Sequence, residues 1–232
     1  MLARVLLLLL ALGAAIAAWA LRSGAIEIPD RWNPSSTLNV ETIPNVLTRL
    51  KLSRLSDDAT LCQQVLATTS IEYARLSDRQ TGPACGFQNA VRIDRTSSEV
   101  TESFSLSCRA AVSLALWERH VLQPAAQAHF GLPVTRIEHF GSYACRNVYG
   151  RSNATRSRHA TAEAFDIAGF ILADGARIRV ISDWKAEGAA SRFLHDVRDG
   201  ACRFFDGVLS PDYNEAHRDH FHFDRGPYRV CR

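Results

Sequence analysis

The 232-residue chain predicts an α+β domain, with helices packed on a central antiparallel sheet. Three observations lead there. One long stretch in the first half repeats apolar residues at helical spacing. The second half falls into short strand-like runs around a hairpin signal. The composition, 47% hydrophobic and 22% charged, is that of a globular chain with a core to bury. The same figures exclude a disordered, a collagen-like and a polytopic membrane chain. The net charge is +3, and of the 27 bases only Lys51 and Lys185 are lysine. No run of four bases occurs, so the chain predicts no nucleic-acid partner.

The first element is an N-terminal apolar helix. Val5–Leu21 holds no charge and follows Arg4. A basic start, an apolar core and the small residues of Ala18-Trp19-Ala20 fit a secretory signal. The run also reaches the roughly 17–25 residues of a membrane span. Residues 1–21 are therefore read as an inner-membrane anchor, with a cleaved signal peptide as the alternative. Either way the rest is exported to the periplasm. Residues 22–45 carry Pro29, Pro34 and Pro44 with little periodicity and read as a linker.

The domain proper is 46–232. Asp58–Thr69 reads as a short helix, with Leu61, Val65 and Leu66 on one side and Asp57 or Asp58 as cap. Gly86–Ile93 is strand-like. Leu106–Phe130 is the clearest helix, because Cys108, Val112, Ala115 or Leu116, and Val121 recur at helical spacing. Pro124 should interrupt it and Gly131 should end it. Val134–Tyr143 reads as a strand. Phe165–Leu172 and Arg177–Ser182 flank Asp174-Gly175, a hairpin signal. Ala189–Val197 is a helix closed by Gly200, and Phe204–Leu209 and His220–Phe223 are short strands. Cys62, Cys85, Cys108, Cys145, Cys202 and Cys231 include no CxxC pair. In an oxidising compartment they predict up to three disulfides, whose pairing the sequence leaves open.

The chemistry concentrates in two segments, Ser157-Arg158-His159 through Asp166, and His217 through Asp224. On a strand, His220 and His222 share a face. Imidazoles are common zinc ligands. His159 and Asp166 are seven apart, about 10 Å along a straight helix, too far to meet one ion. The chain must bend between them, with His159 in a loop and Asp166 on the following strand. Asp219 and Asp224 are read as alternating against the two histidines and pointing away, with Asp224 still able to orient a ligand from the strand end.

These motifs, with Ala84-Cys85-Gly86, Ser142 through Arg146, and Asp183-Trp184, resemble the bacterial extensin-like C-terminal domain proteins. The His/Asp motifs are in turn similar to zinc peptidases of the lysostaphin, D-alanyl-D-alanine carboxypeptidase and hedgehog superfamily. That resemblance implies Zn2+ held by His159, Asp166 and His222, with the fourth tetrahedral position open as catalysis requires. It implies acid–base or oxyanion roles for His220, and for His217, which stands where the carboxypeptidases carry a glutamate and the murein endopeptidases a histidine. Ala162 stands where many carboxypeptidases carry glycine. The implied activity is a peptidase or amidase acting on peptidoglycan peptides. The alternative is a zinc-stabilised cell-wall binding module without turnover. Arg158 and Arg146 are candidates for binding a substrate carboxylate, and Ser157 for bracing the His159 loop. His120, His129, His139, His195, Tyr143 and Trp184 are read as structural.

Overall fold

The computed structural model describes residues 2–25 and 27–232. Contacts divide the chain into two units, Met1–Thr37 and Leu38–Arg232. The first holds α1 (Leu2–Arg22) and a single 3-10 turn at Asp30–Trp32, which Ser36 closes through its hydroxyl to the Asp30 carbonyl at 2.6 Å. Among the described residues no helix is long and apolar enough to cross a membrane, so the anchor expected over 1–21 gains no support here. The Ala18 side chain, in the expected cleavage site, lies outside the described residues. The second unit begins eight residues before the expected boundary. Leu38 and Val40 are buried in its core, and His120 bonds the Val40 carbonyl at 2.7 Å.

The second unit opens with α2 (Thr48–Asp57) and α3 (Ala59–Leu66). Asp58 caps α3 by accepting from the Leu61 amide at 2.8 Å, as the sequence predicts. Six short strands follow: β1 (Glu72–Arg75), β2 (Arg79–Gly82), β3 (Cys85–Phe87), β4 (Ala90–Arg95), β5 (Glu99–Val100) and β6 (Phe104–Ser107). β4 lies between β1 and β6 in an antiparallel sheet, and β2 and β3 form a separate hairpin. The single strand expected over Gly86–Ile93 is thus two. Asn89 sits between them at φ 46°, a left-handed conformation that turns the chain.

The long predicted helix starts later than expected and is broken. Leu106 is in β6, and Ser107 caps α4 (Cys108–Trp117). One π-helical turn, Glu118–Leu122, then leads into α5 (Gln123–Phe130). Pro124 has no amide hydrogen to continue the ladder, so the irregular turn falls just before it. Gly131 ends α5 at φ 67°.

The central sheet uses β7 (Val134–Gly141), β8 (Ala164–Leu172), β9 (Arg177–Arg179), β10 (Gly207–Leu209), β11 (Phe221–Asp224) and β12 (Val230–Cys231). Its order is β12-β10-β11-β8-β7-β5, with β9 continuing beside β8. Pairing is antiparallel except at the edges, where β5 runs parallel to β7 and β12 to β10. The expected antiparallel sheet is therefore mixed at its rims. Helix α6 (Val180–Asp183) replaces the end of the strand expected over Arg177–Ser182.

Helix α7 (Ala189–Ala201) runs through Gly200 instead of stopping before it. A Cβ on Gly200 would lie 2.3 Å from Val121, so this glycine permits close packing on the π-helical turn. Trp117 meets Phe170 and Phe223, all three essentially inaccessible to solvent. Burial of each such ring contributes about 1.5–3 kcal/mol.

Disulfides join Cys62 to Cys108, Cys85 to Cys145 and Cys202 to Cys231. The first ties α3 to α4, the second ties β3 to the segment after β7, and the third ties the end of α7 to β12. No free cysteine remains.

Candidate metal centre

The centre lies where β8 and β11 run side by side. On β8, Phe165 and Ile167 face the core, so Asp166 projects from the other face. On β11, Phe221 and Phe223 stack at 6.0 Å on the core side, so His222 projects beside Asp166. The two are direct register partners. His159 arrives from a 3-10 turn, Arg158–Thr161, that precedes β8. Ser157 braces this turn by accepting from the His159 amide at 3.4 Å. Ala162 ends it at φ 54°, a left-handed conformation in which glycine is easiest to place. The chain bends between His159 and Asp166, as their spacing demands.

Three side chains converge. His159 Nε2 lies 3.1 Å from Asp166 Oδ2. His222 Nδ1 lies 2.9 Å from Asp166 Oδ1. The two imidazole nitrogens are 3.2 Å apart. All three side chains are buried. The outer nitrogens settle what the inner ones carry. His159 Nδ1 donates to the Ser142 carbonyl, which has no hydrogen to give. His222 Nε2 donates to Asp224 Oδ2 at 3.1 Å. In neutral rings the inner nitrogens are then both acceptors, aimed at a carboxylate that is also an acceptor. Three acceptors this close require a cation among them, either protons or a metal.

The donor set fits zinc. Tetrahedral zinc at about 2.0–2.2 Å from each ligand needs donors roughly 3.3 Å apart, close to the separations here. The outer hydrogen bonds are the kind that orient metal-binding histidines.

The electrostatics follow the same logic. Burial alone would raise the Asp166 carboxyl, but hydrogen bonds from His159 and His222 hold it well below the usual carboxylate range. Burial alone would lower His222, but its bonds to Asp166 and Asp224 raise it. Asp224 is held low by His222 against its own burial, with a further contribution from the Gly226 amide at 2.6 Å.

Asp224 is a correction to the sequence reading. It follows His222 by two residues, so it shares that face of β11 instead of pointing away. The register also explains Gly207, the partner of Asp224 on β10. A Cβ on Gly207 would lie 2.1 Å from Asp224 Oδ2, so only glycine leaves room for that carboxylate.

His217 and His220 stand beside the three donors. Their rings are 5.2 Å apart, and His217 is 5.9 Å from His222. His220 Nε2 is 3.7 Å from Asp166 Oδ1, and its Nδ1 bonds Asp219 at 2.9 Å. His217 is pushed down to about 4, first by burial and then by the positive charge of its neighbouring histidines. It is neutral at pH 7. Arg146 Nη2 reaches within 4.0 Å of Asp166 Oδ2 and is about half exposed, beside the centre. Arg158 goes elsewhere: its side chain packs against Gly226 and its charge acts on Asp224.

Two contributors have no motif in the sequence. Asn214 Oδ1 accepts from the Ala216 amide at 3.1 Å and faces His217 Nδ1 at 2.8 Å. Its amide nitrogen donates to the Tyr149 hydroxyl at 2.7 Å. Tyr149 is held at φ 55°. The Asn-x-x-His spacing is a capping signal, but the tyrosine arrives from 65 residues away. The remaining histidines are structural: His129 pairs with Asp196, His139 bonds the Glu102 carbonyl, and His195 lies against Trp184.

A buried cluster of two histidines and one carboxylate thus sits at a strand pair of a disulfide-bonded α+β domain. The model of the Extensin-like protein C-terminus family matches residues 60–232, and the chain belongs to that family. No curated protein and no solved structure matches it.

Proposed function

We propose that the chain is an exported zinc-dependent peptidase or amidase acting on cell-wall peptidoglycan peptides. The observation that carries this reading is the convergence of His159 Nε2, His222 Nδ1 and the Asp166 carboxylate, with contacts of 2.9–3.2 Å and both imidazoles hydrogen-bonded from outside. Motif similarity to the zinc peptidases of the lysostaphin superfamily supports it. The three disulfides and the apolar N-terminal segment support export, with that segment as signal or membrane tether.

His159, Asp166 and His222 would hold the ion, which when bound activates water and polarises a carbonyl. The Ser142 carbonyl and Asp224 keep the two imidazoles in the binding tautomer. His217 donates its Nδ1 hydrogen to Asn214, so its Nε2 is left to accept a proton. His220, braced by Asp219, supplies a second proton-carrying group. Arg146 offers a guanidinium for a carboxylate of the wall peptide.

One observation favours a second reading, a zinc-stabilised binding module. His217, lowered to about 4, is a weaker base than a carboxylate in a tuned site. The test is metal analysis of the full chain together with digestion of purified cross-linked peptidoglycan, with and without a chelator. The expected result is one zinc per chain and new amino groups that the chelator abolishes, both lost in Asp166→Ala. Zinc without cleavage establishes the binding module. Absence of zinc overturns both readings.

A further inference from the structure

A groove of about 1400 Å³ opens between the end of α2 and α3 on one side and the β2–β3 hairpin on the other. We propose that it is a second binding site, for a glycan strand. Its lining is unusual for this chain. Four of the six glutamines in the sequence, Gln63, Gln64, Gln80 and Gln88, lie along it. Asn89 adds a fifth carboxamide. A carboxamide presents a donor pair and an acceptor side by side, which matches neighbouring hydroxyls of a sugar.

Gln63 makes the case specific. It is only 8% exposed, and its Nε2 donates to Asn89 Oδ1 at 2.7 Å. Its Oε1 has no partner among the described residues. A buried acceptor left unpaired is costly, and rotation of this carboxamide toward the groove that Gln63 lines would let a ligand hydroxyl or amide hydrogen satisfy it.

The lining's formal charges balance, with Asp57, Asp78 and Glu163 against three arginines, and two of those arginines remain open to a ligand carboxylate. Arg75 and Arg79 line the groove, are exposed, and form no ion pair among the described residues. Arg109, also in the lining, is already committed to Glu163 at 3.0 Å. Phe87, half-buried and edge-on to Tyr143, supplies apolar surface for the face of a sugar ring.

The groove reaches Thr161 and Glu163, two and four residues beyond His159. A glycan lying in it would end against the segment that carries the metal centre. The site stands on its own observations. If the peptidase reading holds, it grips the strand whose peptides the centre receives.

The test is calorimetric titration of the full chain with peptide-free glycan strands of peptidoglycan, which keep their lactyl carboxylates. A chelator is present throughout, so the result is separate from metal and turnover. The strands are expected to bind, and to bind Asp166→Ala equally well. The double variant Gln80→Ala/Gln88→Ala changes only exposed side chains and should weaken binding at least tenfold with an unchanged melting temperature. Arg75→Ala/Arg79→Ala should also weaken it about tenfold. No binding, equal binding by the glutamine variant, or equally tight binding of a pentaglutamate peptide would overturn the proposal.

Discussion

Asn214 determines which nitrogen of His217 carries hydrogen. Its Oδ1 is identified by the Ala216 amide, an obligatory donor 3.1 Å away, and the same oxygen faces His217 Nδ1 at 2.8 Å. Nδ1 must then be the protonated nitrogen and Nε2 the free base. Replacing Asn214 with alanine should release the ring to either tautomer. The expected outcome is a roughly 10–100-fold fall in kcat with zinc content unchanged. Nitrogen NMR of the labelled ring should show the Nε2-protonated form appearing. His217→Ala should cost more, about 10²–10⁴ in turnover, again with zinc retained. Loss of zinc in either variant would make His217 a ligand.

Gly207 and Asp224 yield a prediction about affinity alone. A methyl group at Gly207 would displace the carboxylate that orients His222. Gly207→Ala and Asp224→Asn should each weaken zinc binding by roughly 10–100-fold, measured by competition with a chelating dye. Unchanged affinity in both would show that His222 does not depend on this partner.

Glu118 makes stability depend on pH. Its carboxylate is buried in the π-helical turn, with bonds from the Thr96 hydroxyl at 2.7 Å and the Ser97 amide at 3.3 Å. Burial outweighs these bonds and raises it from 4.5 to about 7. Between those values the folded state keeps a proton that the unfolded state has lost, so stability falls as pH rises through that window and levels off above it. Glu118→Gln is neutral throughout. In urea unfolding, its stability relative to the parent should increase by roughly 3 kcal/mol between pH 4.5 and 8. A constant difference would refute the assignment.

Much of the centre was legible in the sequence because strand parity and motif order are local. His159 had to precede a bend, Asp166 had to lie on a strand, and His222 had to share a face with its neighbours at even spacing. The same parity, correctly applied, includes Asp224. Other features depend on distant partners. Tyr149 meets Asn214 only through a left-handed turn far along the chain. Gly200 looks like a helix stop until Val121 is packed against it. Asn89 splits a run whose composition suits one strand. In each case tertiary contact or backbone handedness, not local propensity, decides.

The pairing of Asp166 with His222 has one more consequence. The two residues are 56 apart in sequence, and such long-range pairing can settle in competing alignments. Side chains alternate along a strand, so a slip of one residue would carry His222 to the opposite surface of the sheet. A slip of two would bring His220 or Asp224 opposite Asp166 instead. A cation shared by the three side chains therefore rewards a single alignment of β11 on β8. The ion would act as a proofreader of folding, securing the correct alignment before any substrate arrives.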